Sequence, residues 1–403
     1  MASSVVVPAR AGHMRIQPAA FIRISPHADQ PARTDSTNGV GILSGSPHGF
    51  GLDGVRLHRV RIAGLGHYLP ETTLTNLDLE RMVDTFDQWI RDRTGIRERH
   101  IAAPHETSSS LGLNAARMAL ADARIDPADI DLVIAATTTP DGMFPSVASL
   151  VQDGIGASRA GAFDVNAACV GFMSALATGM QFIGTGSCQR VLVIGTEVLS
   201  RIVNWDDRGT CVLFGDGAGA VVLEAAAFGG PLGLVLRSDG SKKAVLFADG
   251  PCGPRDGQGN GPPRHLCMIN MDGPAIFKFA VQAMTQAVRD ALAQASLAVD
   301  DIDLLVPHQA NLRIIQGTAK HLGIPEEKAL VTVHKYGNTS SASIPVALSE
   351  AQKEGRLSEG ALLALCAFGG GLAWGSMLLE YSRTGAAPAE RRSRLAEVSA
   401  RGS

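Results

Sequence analysis

Apolar and polar positions follow two rhythms along most of the chain. Val60–Pro70 (VRIAGLGHYLP) reads as a strand ending in a turn, and Asp131–Pro140 (DLVIAATTTP) and Arg190–Val198 (RVLVIGTEV) as short buried strands. Leu111–Ile125 (LGLNAARMALADARI) repeats Leu, Ala and Met at helical spacing. Strands alternating with helices predict an α/β fold, with mixed sheet covered by helices on both faces. Two uncharged runs, Val165–Gln189 and Gly360–Leu379, are long enough to span a bilayer. The first holds Asn166, Ser174, Thr178, Gln181 and Thr185, and Gly369-Gly370-Gly371 breaks the second, so both read as buried elements of a soluble core.

The chain also repeats itself. Ala115–Ile134 and Ala287–Val306, 172 positions apart, share ten of twenty residues, ending in the run Asp-Ile-Asp-Leu. Each copy reads as helix, turn and buried strand. Phe214–Glu224 (FGDGAGAVVLE) is echoed by Phe368–Glu380 (FGGGLAWGSMLLE). Two echoes in the same order predict a duplication, with halves at about 55–230 and 231–383 and a site where they meet. Residues 1–54 lack the apolar segment of a secretory signal. They read as a poorly ordered extension, a weak organelle transit peptide or an early start codon. Residues 384–403 read as a flexible tail.

Composition narrows the class. Lys+Arg 36 against Asp+Glu 39 in 403 residues gives a net charge of −3, with no electrostatic footprint for nucleic acid or an anionic membrane. With 45% hydrophobic and 19% charged residues the chain can bury a large core. The cysteines at 169, 188, 211, 252, 267 and 366 form no CxxC pair and join no histidine at zinc spacing. We therefore expect neither a metal site nor a disulfide scaffold, and a reducing, cytoplasmic setting.

Three segments carry candidate chemistry. Cys169, in AFDVNAACVGFMSAL, falls between a strand and the first turn of an apolar helix. There the helix dipole, at about 2 kcal/mol, would draw the thiol from about 8.5 toward about 7. The plain alternative is a buried inert cysteine. His308, in DLLVPHQANLRI, follows the second repeat strand at its carboxyl end, where α/β sites are built; otherwise it is a surface loop histidine. Asn338 lies in HKYGNTSSASIPVAL, which could equally be a turn and helix cap. Cys, His and Asn together would supply a nucleophile, a base and a hydrogen-bond donor. The glycines of AFGGGLAWGS let backbone N–H groups approach an oxyanion, or simply open a strand with a tight turn. The fingerprint-like GDGAGA at 215–220 leads into an apolar strand rather than a helix, so it lacks the phosphate-binding mechanism.

Six blocks in order, WIRDRTGIRERHIA, AACVGF, WDDRGTCVLFGDGAGA, VPHQANLRI, YGNTSSASIP and AFGGGLAWGS, resemble β-ketoacyl-acyl-carrier-protein synthase III over about Val55 to Tyr381. The resemblance implies a thiolase-like duplicated fold in five αβαβα layers. It implies initiation of fatty-acid synthesis: a short acyl-CoA, acetyl-CoA first, acylates Cys169, and malonyl-ACP then decarboxylates and condenses to 3-oxoacyl-ACP. His308 and Asn338 would complete the triad, and the N–H groups of Cys169 and Gly370 would form an oxyanion hole. Trp89 and Arg208 would sandwich the CoA adenine, with Thr85 and Arg93 at the nucleotide end. Phe368, Asn311 and Phe144 would contact substrate, with Phe144 reaching across a homodimer. Gln309, Arg313, Lys278 and Lys320 would meet the acyl carrier protein. No cofactor or metal is implied.

Two features depart from the family. Ala248–Arg264 is a Gly/Pro-rich insertion, and Pro274 stands where many relatives carry Glu or Asn. Both put starter size and carrier-protein geometry in question. A thiolase would place a second catalytic cysteine in a Cys-x-Gly turn, whereas Cys366 precedes Phe-Gly-Gly-Gly. Other readings are a synthase III-like acyltransferase of secondary metabolism, a papain-like hydrolase, which the repeat disfavours, and a non-catalytic partner subunit, which the intact triad disfavours.

Overall fold

The computed structural model describes residues 58–250 and 268–386. The expectations for the first 57 residues, for most of the Ala248–Arg264 insertion and for the tail beyond 386 lie outside the described residues. In the first half the elements are β1 (Arg59–Tyr68), β2 (Thr72–Thr75), α1 (Asn76–Leu79), α2 (Asp87–Thr94), β3 (Glu98–Ile101), α3 (Ser108–Ala123), β4 (Leu132–Ala136), α4 (Val147–Ile155), β5 (Gly161–Val165), α5 (Gly171–Gly184), β6 (Arg190–Glu197) and β7 (Gly217–Ala226). The second half holds β8 (Gly230–Ser238), β9 (Leu246–Phe247), β10 (Asn270–Met271), α6 (Gly273–Ala295), β11 (Leu304–Pro307), α7 (Leu312–Leu322), α8 (Val333–Tyr336), α9 (Ser343–Lys353), β12 (Leu362–Gly369) and β13 (Ala373–Glu380).

The duplication is visible in the topology. One sheet runs β1-β7-β6-β4-β5 and the other β8-β13-β12-β11. Matching β1 to β8, β7 to β13, β6 to β12 and β4 to β11 reproduces every pairing sense. Strand β5 adds a parallel edge to the first sheet and has no counterpart in the second. Both sheets belong to one compact unit, and a short link joins β7 to β8.

Five layers follow from where the apolar faces go. Helices α3 and α4 pack outside the first sheet, α5 and α9 lie between the sheets, and α6 and α7 pack outside the second. Strand β12 alternates strictly: Leu363, Leu365 and Ala367 face the central layer, while Leu362, Ala364, Cys366 and Phe368 face α6. A strand covered on both sides has no polar face, so the Gly360–Leu379 run is uncharged without being a membrane span. Helix α5 is apolar around its circumference for the same reason, with Phe172, Met173, Leu176, Met180 and Ile183 all buried. No helix among the described residues is long and apolar enough to cross a membrane.

The outer helices touch their sheets at equivalent glycines. A Cβ on Gly64 of β1 would stand 2.3 Å from the Ala119 carbonyl oxygen, and one on Gly233 of β8 would stand 2.4 Å from that of Ala291. Ala119 and Ala291 are themselves partners in the sequence repeat. Gly64→Ala and Gly233→Ala should each lower unfolding free energy by about 1–3 kcal/mol, because only backbone displacement relieves the overlap. Urea unfolding of the two variants checks this; wild-type midpoints would show that the helices are free to slide.

Candidate active site

Three turns close on one cavity. Cys169 occupies the short 3₁₀ turn Ala168–Val170 between β5 and α5. His308 follows β11, and its N–H donates to the Cys366 carbonyl at 2.8 Å. Asn338 lies between α8 and α9, with its N–H on the Leu213 carbonyl at 2.8 Å and its carbonyl accepting from Gly215 N–H at 3.0 Å. All three line a cavity of about 370 Å³ whose wall also includes Phe368 and which reaches the surface at Phe277, Arg93 and Arg313. Gly369 packs so tightly on the Cys169 turn that a Cβ there would stand 2.8 Å from Cys169 N, and one on Gly370 would be 3.6 Å from the Ala168 side chain.

The interior of this cavity is neutral. Burial pushes the Cys169 thiol up to about 12, and the Glu197 carboxylate nearby acts in the same direction. This corrects the expected fall toward neutrality. A helix end offers only about 2 kcal/mol, and loss of hydration outweighs it. Glu197 is itself pushed up by burial, although its Oε2 accepts from Thr138 N–H at 3.0 Å, Thr138 Oγ1 at 2.9 Å and Thr139 Oγ1 at 2.8 Å. His308 is lowered to about 3 by burial and so stays uncharged at neutral pH.

Two serines absent from the sequence reading organise these groups. Ser340, at φ 47° in the left-handed region, donates its N–H to Asn338 Oδ1 at 2.9 Å. That commits the amide oxygen to the turn and leaves the Nδ2 hydrogens for the cavity. The Ser340 side chain acts on the Cys169 thiol against the effect of burial. Ser343, at the start of α9, meets His308 Nδ1 at 2.6 Å. Both belong to the Gly-Asn-Thr-Ser-Ser-Ala-Ser run, whose composition signals only a turn. Behind the site, Phe368 meets Phe279 in a tilted ring contact at 5.5 Å, and Phe279 meets Trp374 edge-on at 5.3 Å.

At the mouth, Trp89 and Arg93 share one face of α2 as their spacing predicts, with the Arg93 guanidinium 4.8 Å from the indole centre. Arg208 approaches the same indole at 5.2 Å and donates to the Asp84 carbonyl at 2.8 Å. Thr85 Oγ1 is buried with no hydrogen-bond partner among the described residues. Asn311 caps α7 through Arg313 N–H at 2.8 Å and reaches the Arg93 carbonyl at 3.1 Å. Lys278, Arg313 and Lys320 are exposed.

Gln309 does not fit its expected surface role. It is 1% exposed. Its Nε2 donates to the Pro307 and Leu330 carbonyls, and its Oε1 accepts from Thr332 and Val333 N–H, so every side-chain position is occupied inside the fold. Phe144 is 86% exposed on the loop before α4 and lies outside the cavity wall. GDGAGA enters β7, and its buried Asp216 accepts from Ala102 N–H, Ser200 N–H and the Ser200 hydroxyl, so the segment is a structural crossing.

The chain matches known proteins along this architecture. The family profile described as 3-oxoacyl-[acyl-carrier-protein (ACP)] synthase III matches residues 163–240, and its C-terminal companion matches 292–381. A β-ketoacyl-[acyl-carrier-protein] synthase III of Symbiobacterium thermophilum is 51% identical over 336 residues, covering 82% of this chain and 100% of that protein. The crystal structure of 3-oxoacyl-[acyl-carrier-protein] synthase III from Aquifex aeolicus superposes with a TM-score of 0.75 at 46% identity, covering 80% of this chain and 100% of that one. The priming β-ketosynthase of the R1128 polyketide pathway superposes with a TM-score of 0.75 at 36% identity, covering 81% and 98%.

The raised thiol makes a kinetic prediction. With the Cys169 thiol near 12, iodoacetamide labelling of Cys169, followed peptide by peptide, should climb about tenfold per pH unit from about pH 7 to 9 without levelling. A plateau below about pH 8 would mean that the free site holds a thiolate.

Proposed function

This chain belongs to the β-ketoacyl-[acyl-carrier-protein] synthase III family, and from that premise we propose how its own residues divide the reaction. The protein is a condensing acyltransferase that joins an acyl-CoA to malonyl-ACP and so initiates fatty-acid synthesis. The observation that carries the division of labour is that Cys169, His308 and Asn338, from three separate turns, line one buried cavity.

In the first half-reaction Cys169 Sγ attacks the acyl-CoA carbonyl. The bond to the CoA sulfur breaks and acyl-cysteine forms. The cysteine proton ends on the departing CoA sulfur, so the exchange is proton-neutral. In the second, malonyl-ACP loses CO2, and the electron pair of the broken carbon–carbon bond moves onto its thioester oxygen as an enolate. His308 Nε2–H and Asn338 Nδ2–H donate hydrogen bonds to that oxygen. The enolate carbon then attacks the acyl-cysteine, and the N–H groups of Cys169 and Gly370 hold the tetrahedral oxyanion. Cys169 leaves as thiolate, takes a proton from solvent, and 3-oxoacyl-ACP is released. A site whose buried thiol and imidazole are uncharged favours spreading the malonyl carboxylate charge into a hydrogen-bonded enolate.

The remaining assignments are proposals of the same kind. Trp89 and Arg208 take the adenine, Thr85 and Arg93 the nucleotide end, and Phe368 and Asn311 the pantetheine path and the reacting thioester. Exposed Lys278, Arg313 and Lys320 meet the acidic carrier protein. Phe144 at 86% and Met143 at 69% exposed, near the β5 edge, support a homodimer in which Phe144 closes the partner's pocket. The thioester itself serves as the electron sink, so we read the reaction as independent of cofactors and metals, in the cytoplasm. The starter is read as short, with acetyl-CoA first. The 36% identity to a polyketide priming enzyme supports a second reading in which this pocket takes another starter.

Intact-protein mass spectrometry should show a single acyl gain on wild type with acetyl-, isobutyryl- or octanoyl-CoA, and none on Cys169→Ser. The preferred donor decides between the two starters, and no gain with any donor removes the CoA-primed reading. His308→Ala and Asn338→Ala should still acylate but release CO2 from malonyl-ACP about 10²–10³-fold more slowly, the usual cost of one oxyanion donor. Equal loss in both half-reactions would contradict this division.

A further inference from the structure

His308 is a neutral imidazole whose two nitrogens have different neighbours, and the half-reactions ask opposite things of Nε2. Drawing a proton from the Cys169 thiol would need a bare Nε2. Stabilising the malonyl enolate needs Nε2–H. We propose that Ser343 settles this by holding His308 as the Nε2–H tautomer, committing it to the decarboxylation step. The inference rests on the condensing role described above and adds to it a positioning residue.

The argument is a count of donors and acceptors. Ser343 Oγ lies 2.6 Å from His308 Nδ1. The same oxygen accepts the backbone N–H of Gln309 at 3.3 Å. Both side chains sit at 2% exposure, where solvent supplies no alternative partner. A serine hydroxyl has one hydrogen to give. Among the described residues, Nδ1 is the only acceptor within its reach, so the hydroxyl donates and Nδ1 accepts. A neutral ring has a single N–H, which then belongs to Nε2.

The contrast with hydrolytic triads gives this its meaning. There a carboxylate accepts Nδ1–H and leaves Nε2 bare to act as a base. Here a hydroxyl stands in the carboxylate's place, and among the described residues no acidic group is paired with His308. The polarity of the relay is reversed: the imidazole donates toward the substrate. Gln309 explains how the geometry is kept. Its side chain clamps the Pro307 carbonyl and the Thr332–Val333 amides, and its own N–H pins Ser343 Oγ. On this account His308 is not the base for Cys169. Thiol exchange with CoA needs none overall, because the proton passes from one sulfur to the other.

The test separates the two steps and adds a readout free of substrate. Ser343→Ala should acylate from acyl-CoA within about threefold of wild type, while CO2 release from malonyl-ACP falls about 100-fold, one donor's worth. Ser343→Thr keeps the hydroxyl and should recover most of that loss. Ser343→Asp supplies an acceptor for Nδ1–H and should stay as slow as Ser343→Ala. In wild-type protein labelled with ¹⁵N-histidine, the His308 resonances, assigned by their loss in His308→Gln, should show the one-bond proton on Nε2. A proton on Nδ1, or an equal loss of both half-reactions in a Ser343→Ala protein of unchanged melting temperature, overturns the proposal. The nitrogen measurement uses the free protein, so failure of the condensing role itself, seen as no acylation of wild type, is told apart from failure of the tautomer assignment.

Discussion

The burial of two helices between two sheets is the constraint on which the rest of this structure depends. Helices α5 and α9 occupy equivalent places in the duplicated architecture, and neither has a solvent-facing stripe that could stabilise it outside the central layer. Their N-termini come together inside the fold, close enough that a Cβ on Gly171 would be 3.8 Å from the Ser341 side chain. The turn before α5 carries Cys169, the turn before α9 carries Asn338 and Ser340, and Ser343 opens α9. The duplicated architecture thus brings two helix-entry turns together, one holding Cys169 and the other Asn338.

The same burial sets the electrostatics. In a dry space charge costs more than hydrogen bonds return. The thiol is pushed up, the imidazole down and the Glu197 carboxylate up, each toward its uncharged form. What remains is a set of fixed neutral donors held by serines and backbone. Such groups are oriented in advance by the fold, which lowers the cost of meeting a negative charge in the cavity. The charged residues are kept to the rim, where Arg93, Arg208 and Arg313 stay in contact with water.

Much of this was legible in the sequence because its physics is local. The repeat at Ala115 and Ala287 announced two equivalent helix–strand units, and the structure makes them α3–β4 and α6–β11. Strand β6 and the junction at Cys169 lie where the apolar pattern placed them. What misled was tertiary. The proton on Cys169 depends on how much of β12, α9 and the Asn338 turn covers it, and no window around residue 169 contains that information. Gln309 reads as a polar surface residue, yet the backbone groups that occupy it come from Pro307, Leu330, Thr332 and Val333. Ser340 and Ser343 look like turn and cap residues. Their partners are His308, which follows β11, and Cys169 on the turn before α5, so their roles exist only once distant segments have folded together.

The raised thiol has a bearing on durability. Peroxide and similar oxidants attack the thiolate of cysteine, not the thiol. With burial pushing its thiol up to about 12, Cys169 stays protonated at neutral pH. In the free protein Cys169 therefore rests in a form that the oxidation ladder scarcely touches. The enclosure that denies it ready ionisation also shields it from being spent on stray oxidants.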